Sequence, residues 1–125
     1  MAIRIPSAEV SPRNDNGILK FYEGDTFIFQ LYLELEDQDG EDIILDGSKD
    51  SVVISFFDYK NRIAKTFSFG NGKDNLIGAE NILELDFDEE TTGLFEKGKY
   101  TYDCIVEIEG IGKRKIIDRA PVIVE

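Results

Sequence analysis

The side chains in this sequence best suited to chemistry are carboxylates, and they fall into two groups. The first is Asp37-Gln38-Asp39-Gly40-Glu41-Asp42, with Asp46 close behind. Acids gathered around a glycine suit Ca²⁺, which takes six to eight oxygen ligands around a sharply turned loop. Setting Gly40 on the glycine of an EF-hand loop puts Leu35 at the first ligand position and Asp46 where a bidentate Glu closes the site. Two informative positions therefore fail. Asp37, Asp39, Asp42 and Asp46 remain the calcium candidates of the chain, and the simpler account is a solvated turn in which Asp-Gly supplies a positive φ.

The second group is Asp86, Asp88, Glu89 and Glu90. A glycosidase needs two carboxyls facing each other across a cleft, with their pKa values pushed apart. Neighbouring acids on one corner point different ways and stay ionised. Asp88 instead has the position of a helix cap, with Glu89 and Glu90 in the first turn behind it. No catalytic residue is assigned.

Other chemistries lack their parts. Histidine is absent, so neither a Ser–His nor a Cys–His pair can form. The single cysteine, Cys104, lies in an alternating apolar run, where it acts as a small buried hydrophobe. No phosphate loop, dinucleotide fingerprint, zinc spacing or nucleophile elbow occurs. We expect no enzyme, no cofactor and no structural metal.

The elements that carry these residues read as strands. Phe27, Phe29, Leu31, Leu33 and Leu35 share one face of an alternating run, as a half-buried strand requires. Ser51–Asp58 (SVVISFFD) is followed by a DYKNR corner and by Ile63–Gly70, which predicts a hairpin. A Gly/Asn loop (GNGKDN) leads to Asn81–Phe87, with Leu83, Leu85 and Phe87 on one side. Lys99–Ile108 directs Tyr100, Tyr102, Cys104, Val106 and Ile108 one way, and EGIGK turns into Lys115–Glu125. Pro121 marks an edge or a bulge in that last strand. AIRIP and ILKFY read as short strands separated by the loop-like SAEVSPRNDNG.

The whole is an all-β, antiparallel sandwich of about seven to nine strands, with one short helical turn near residues 89–95. An open barrel is the runner-up. A polar arm covers residues 1–17 and one sandwich domain covers 18–125. The 125 residues, 42% hydrophobic, suffice for a core without staples.

Charge narrows the partners. Acidic residues number 26 against 14 basic, a formal net charge of −12. Such a chain repels phosphate backbones, and Lys113-Arg114-Lys115 is its one basic clump, so nucleic acid is not expected. No run has the length of a signal peptide or membrane span, so no membrane is expected either. The aromatics Phe21, Tyr22, Phe56, Phe57, Tyr59, Phe67 and Phe69 invite a sugar-stacking reading, but core packing accounts for most. Val52–Phe57 is apolar on both faces except at Ser55, which implies that the outer face of this strand is also covered.

The order of landmarks resembles a known group. Gly24-Asp25-Thr26 introduces a strand; an acidic turn, Ile43-Ile44-Leu45-Asp46-Gly47 and VVISFFD follow; then come LELDFDEETTGLFEKGKYTYDCIVEI and a last strand ending PVIVE. This is similar to the immunoglobulin-like sandwiches of tailed-phage structural proteins, such as the N-terminal domain of baseplate upper proteins and small particle accessory proteins. The similarity runs from about Gly24 onward, and Glu89–Asp103 carries most of it. It implies a virion component made in the host cytoplasm, whose partners are capsid or tail and baseplate subunits and copies of itself. A capsid decoration role is the first expectation and a tail or baseplate accessory role the second. A glycan-binding module is the alternative from another class. The contacts are expected through Ile3 and Ile5 of the arm and Val53 and Phe57 of the doubly apolar strand.

Overall fold

Alternation along the chain becomes alternation of burial. In β4 (Phe27–Tyr32) and β5 (Glu34–Leu35), Phe29, Leu31 and Leu35 are buried, as is Leu33 between the two, while Ile28, Gln30 and Tyr32 are exposed. β8 (Ile82–Phe87) does the same with Leu83, Leu85 and Phe87. The structure, a computed structural model, describes residues 3–4, 13–15, 18–70 and 81–125, with residues 3–4 and 13–15 described through their backbone pairing. The GNGKDN loop expected after β7 lies almost wholly outside them.

Ten strands and one helical turn lie among the described residues: β1 (Ile3–Arg4), β2 (Arg13–Asp15), β3 (Ile18–Phe21), β4, β5, β6 (Ser51–Phe57), β7 (Ile63–Gly70), β8, α1 (Glu89–Thr92), β9 (Gly98–Ile108) and β10 (Gly112–Val124). One layer is a six-stranded sheet in the order β2-β3-β10-β9-β6-β7. The other layer is the β4–β8 pair, extended where β1 pairs with β5. This is the expected all-β sandwich, with more strands than expected because three are only two or three residues long. It is also not wholly antiparallel. β3 runs parallel to β10, through Leu19↔Val122, Lys20↔Ile123 and Phe21↔Val124. A strand near the N-terminus that pairs in parallel with the last strand is an immunoglobulin-like arrangement.

Within the arm or extended segment 1–17, the described residues pair with both layers. Residues 3–4 pair with Glu34 and Leu35, and residues 13–15 form a hairpin with β3. Backbone groups at a sheet edge gain partners this way.

The layers meet through aromatic rings. Phe87 of β8 lies 5.4 Å from Phe56 of β6, 5.7 Å from Phe21 of β3 and 5.6 Å from Phe95 beyond α1. It also stacks on its cross-strand partner Phe27 at 4.7 Å. Phe29 meets Tyr102 edge to face at 5.8 Å. Each fully buried Phe contributes about 1.5–3 kcal/mol of transfer free energy, and such pairs add about 0.5–1.5 kcal/mol. Phe56 and Phe87, both fully buried, are the hub.

The end near α1 is closed by local hydrogen bonds. Asp88 sits before the helical turn in an extended conformation, and its Oδ1 accepts the Thr91 N–H at 2.8 Å. Thr92 donates its hydroxyl to the Asp88 carbonyl, and Thr91 and Thr92 are buried. The corner then closes on a tyrosine. The Tyr100 hydroxyl donates to the Glu96 carbonyl at 3.0 Å and accepts the Glu96 N–H at 2.8 Å. This is the tyrosine corner of immunoglobulin-like sandwiches, at the start of the penultimate strand.

Candidate functional site

Each carboxylate singled out in the sequence can be followed to its surroundings. Asp37 Oδ1 accepts the N–H groups of Asp39 and Glu41, at 2.8 and 3.0 Å, so it braces its own turn around Gly40 (φ 80°). Asp42 pairs through its backbone with Glu36 across the base of that turn. Asp46 Oδ1 accepts both the hydroxyl and the N–H of Ser48, and these bonds hold its carboxyl below the usual range. Asp39 is exposed at the tip. Among the described residues no three Asp, Glu, His or Cys side chains are grouped to share a metal, so the four calcium candidates are not brought to a common point.

At the other acidic group, Asp88 is held below its usual pKa chiefly by hydrogen bonds from Thr91. Asp86, Glu89 and Glu90 are exposed on different elements of the corner. They do not face one another across a cleft of the described residues. Cys104 is fully buried in β9, and burial pushes its thiol up to about 12.

The polar groups that the fold does bury are not the ones that stand out in the sequence. Asp50 is 5% exposed, and its two carboxylate oxygens accept separate backbone donors, Asp46 N at 2.8 Å and Glu109 N at 2.9 Å. It thereby ties the long β5–β6 connection to the β9–β10 hairpin. Asn81, also buried, accepts from Leu45 N and donates to the Ile43 carbonyl, while its own carbonyl accepts from Leu33 N. Its φ of 59° is one that Asn tolerates better than most residues. A lone Asp before a β-branched run and an Asn before an alternating one are faint signals, readable only once the sheet partners are known.

Asp103 is the third. It points outward from β9, yet is buried because β10 bulges over it. Two register shifts in β10, between Lys115 and Ile117 and between Ile117 and Ala120, each admit one extra residue. The second puts Arg119 at φ 57° and turns its N–H onto Asp103 Oδ1 at 2.7 Å. Lys115 Nζ lies 3.3 Å from Asp103 Oδ2. Pro121 follows the bulge and precedes the β3 ladder, which starts at Val122, so its missing N–H leaves no gap there.

That bulge shapes the outer face of the six-stranded sheet, and two of the expected contact residues lie on this face. Val53 and Phe57 of β6 are half-buried and point outward. Val53 is the register partner of Ile105 on β9, and Ile105 of Lys115 on β10, so the three lie in one row across the sheet. The Arg119 guanidinium lies 5.1 Å over the Phe57 ring and bonds the Asn61 side chain. Ile63, 63% exposed, extends the apolar surface beyond Phe57. Of the expected arm contacts, Ile3 lies on β1, where only the backbone is described, and Ile5 lies outside the described residues. Among the aromatics expected in the core, Phe21, Phe56 and Phe69 are buried, whereas Tyr22 and Tyr59 stand exposed.

A cleft of about 410 Å³ lies between the Asp37–Gln38 turn and Gly110, Ile111 and Arg114 of the last hairpin. Its charged members are one acid and one base, and Asp37 already braces its turn. It has no arrangement of acid and nucleophile.

No protein-family model matches the chain, and no curated protein does. Among solved structures, the dimeric latent PorU from Porphyromonas gingivalis is similar, with a TM-score of 0.54 at 16% identity. The match covers 99% of this chain and 9% of that one, so the chain corresponds to a small part of the PorU length. At this identity the likeness speaks for the fold, an all-β sandwich, and for nothing beyond it.

Proposed function

We propose that the chain is a non-enzymatic structural component of a bacteriophage or phage-like particle, a capsid decoration or accessory protein that docks through the outer face of its six-stranded sheet. The observation that carries this reading is the row Val53–Ile105 with Phe57 and Ile63, apolar side chains left half-covered on the most extensively paired part of the fold. A rigid sheet presenting apolar groups ringed by Lys115, Arg119 and Asp118 is the composition of a protein-docking surface, with a dry centre and a charged rim. The landmarks of the Glu89–Asp103 corner support the phage context. Function on a particle then rests on many copies, each binding modestly, with avidity supplied by the repeating shell.

The test is electron microscopy of purified particles carrying the protein. Density spread over the capsid is the expected result. A ring at the tail end would move the protein to a tail or baseplate role. Absence from particles, together with binding of the isolated domain on a glycan array, would replace the docking reading with a carbohydrate-binding one. Phe57→Asp should remove the protein from particles while leaving its thermal melt intact, since the side chain points away from the core.

A further inference from the structure

The two outer faces of the sandwich carry opposite charge around matching apolar rows. On the six-stranded sheet, the outward positions of β9 and β10 with the β10 bulge present Lys99, Lys113, Lys115 and Arg119 against Asp103, Glu107 and Asp118. This surface is net positive in a chain of net charge −12. Asp103 is sequestered beneath Lys115 and Arg119; Lys115 beside Ile105 also pairs with the exposed Asp118 at 3.7 Å, and the Arg119 guanidinium lies outermost over Phe57. On the β4–β8 pair the outward residues are Ile28, Gln30 and Tyr32, facing Asp86, Glu84 and Ile82 in register. Ile28 is 50% exposed and Tyr32 41%, and Glu84 and Asp86 are exposed beside them. No Lys or Arg stands at an outward position of β4 or β8.

We infer that the occupant of the Val53–Phe57–Ile105 face is a second copy of this chain, presenting its β4–β8 face. Glu84 and Asp86 of one copy then meet Lys115 and Arg119 of the next, while Ile28, Tyr32 and Ile82 cover Val53, Phe57 and Ile105. Opposed charge sets the register and excludes the like-on-like pairing of two positive or two acidic faces. Because the two surfaces lie on opposite layers of one sandwich, the contact is head to tail. Each added copy leaves a fresh face exposed, so association continues into a row or closes into a ring. This inference rests on the docking reading above, and supplies its partner.

Sedimentation velocity of the whole chain over a concentration series tests it, with two variants that each spoil one face. Wild type should grow beyond a dimer. Glu84→Lys/Asp86→Lys and Phe57→Asp should each remain monomeric alone, with unchanged circular dichroism melts. Mixed in equal amounts, they should form a dimer that stops at two copies, because each supplies the face the other lacks. Val53→Asp serves in place of Phe57→Asp if the latter fails to fold. A wild type that stays monomeric throughout overturns the inference. So does a mixture that stays monomeric, or a Glu84→Lys/Asp86→Lys variant that still forms a closed dimer through its large sheet. Loss of particle binding by Phe57→Asp, with wild type monomeric in solution, would leave the docking reading standing and remove only the self-association.

Discussion

Replacing Asp50 with alanine should be among the most damaging single changes outside the aromatic core. The side chain is 5% exposed, and its two oxygens each accept one backbone N–H, from Asp46 and from Glu109. Removing it leaves both donors in a part-buried site. Hydrogen bonds to a charged group are worth about 1.5–3 kcal/mol each, and water entering the opened site returns part of that. A loss of about 3 kcal/mol follows. With a urea slope of roughly 1.5 kcal/mol/M for a domain of this size, the midpoint should fall by about 2 M. Asp50→Asn should recover only part of the loss, because the amide offers one acceptor and turns an N–H against the second donor. The same variants report location. Amide exchange at Asp46 and Glu109 should accelerate, while Ile54 and Cys104 in the sheet keep their rank order of protection. A midpoint shift below about 0.3 M, or loss of protection spread evenly over the sheet, would refute Asp50 as the tie between the two loops.

Three further expectations concern the corner and the core. Tyr100→Phe keeps the ring against Phe95 but loses both bonds to Glu96; as these are near solvent, it should cost about 1 kcal/mol, read from urea melts. Asp88, Asp58 and Asp46 all titrate below the ordinary aspartate value in the folded chain, chiefly through hydrogen bonds they accept, so their contribution is complete above the unfolded carboxylate range and is lost as pH falls through the lowered values. Asp88→Asn should therefore flatten the acid limb of a stability–pH curve, and an unchanged limb would argue against the cap. Cys104, with its thiol raised to about 12 and no exposure, should react with a thiol reagent at about pH 8 only as fast as the domain unfolds, whereas immediate labelling would contradict its burial.

Much of the scaffold is legible from local pattern. The period-two runs of β4, β8 and β9 place Phe29, Leu31, Leu83, Leu85, Phe87, Tyr102, Cys104 and Val106 inward, and Asp88 caps its turn as its position suggests. Partnership between strands is not legible, because periodicity names the buried face and says nothing about the neighbour. Thus the parallel β3–β10 pairing and the engagement of residues 13–15 emerge only in three dimensions. Alternation places Tyr100 on the inward face, yet its hydroxyl reaches back to Glu96. The doubly apolar β6 does announce the half-covered outer face. Pro121 hints at a bulge in the last strand, but not that the bulge carries Arg119 over Phe57, so the cations on that face are hidden.

The same bulge has a bearing on survival in a crowd. Among the described residues, β10 has β9 on one side from Gly112 to Pro121, and β3 joins it only at Val122. A straight run of unpaired N–H and C=O groups there would template cross-β growth with any neighbouring chain. Two inserted residues, a proline and a string of basic side chains bend and charge that edge instead. A bent, charged edge of this kind discourages backbone pairing between copies at high concentration.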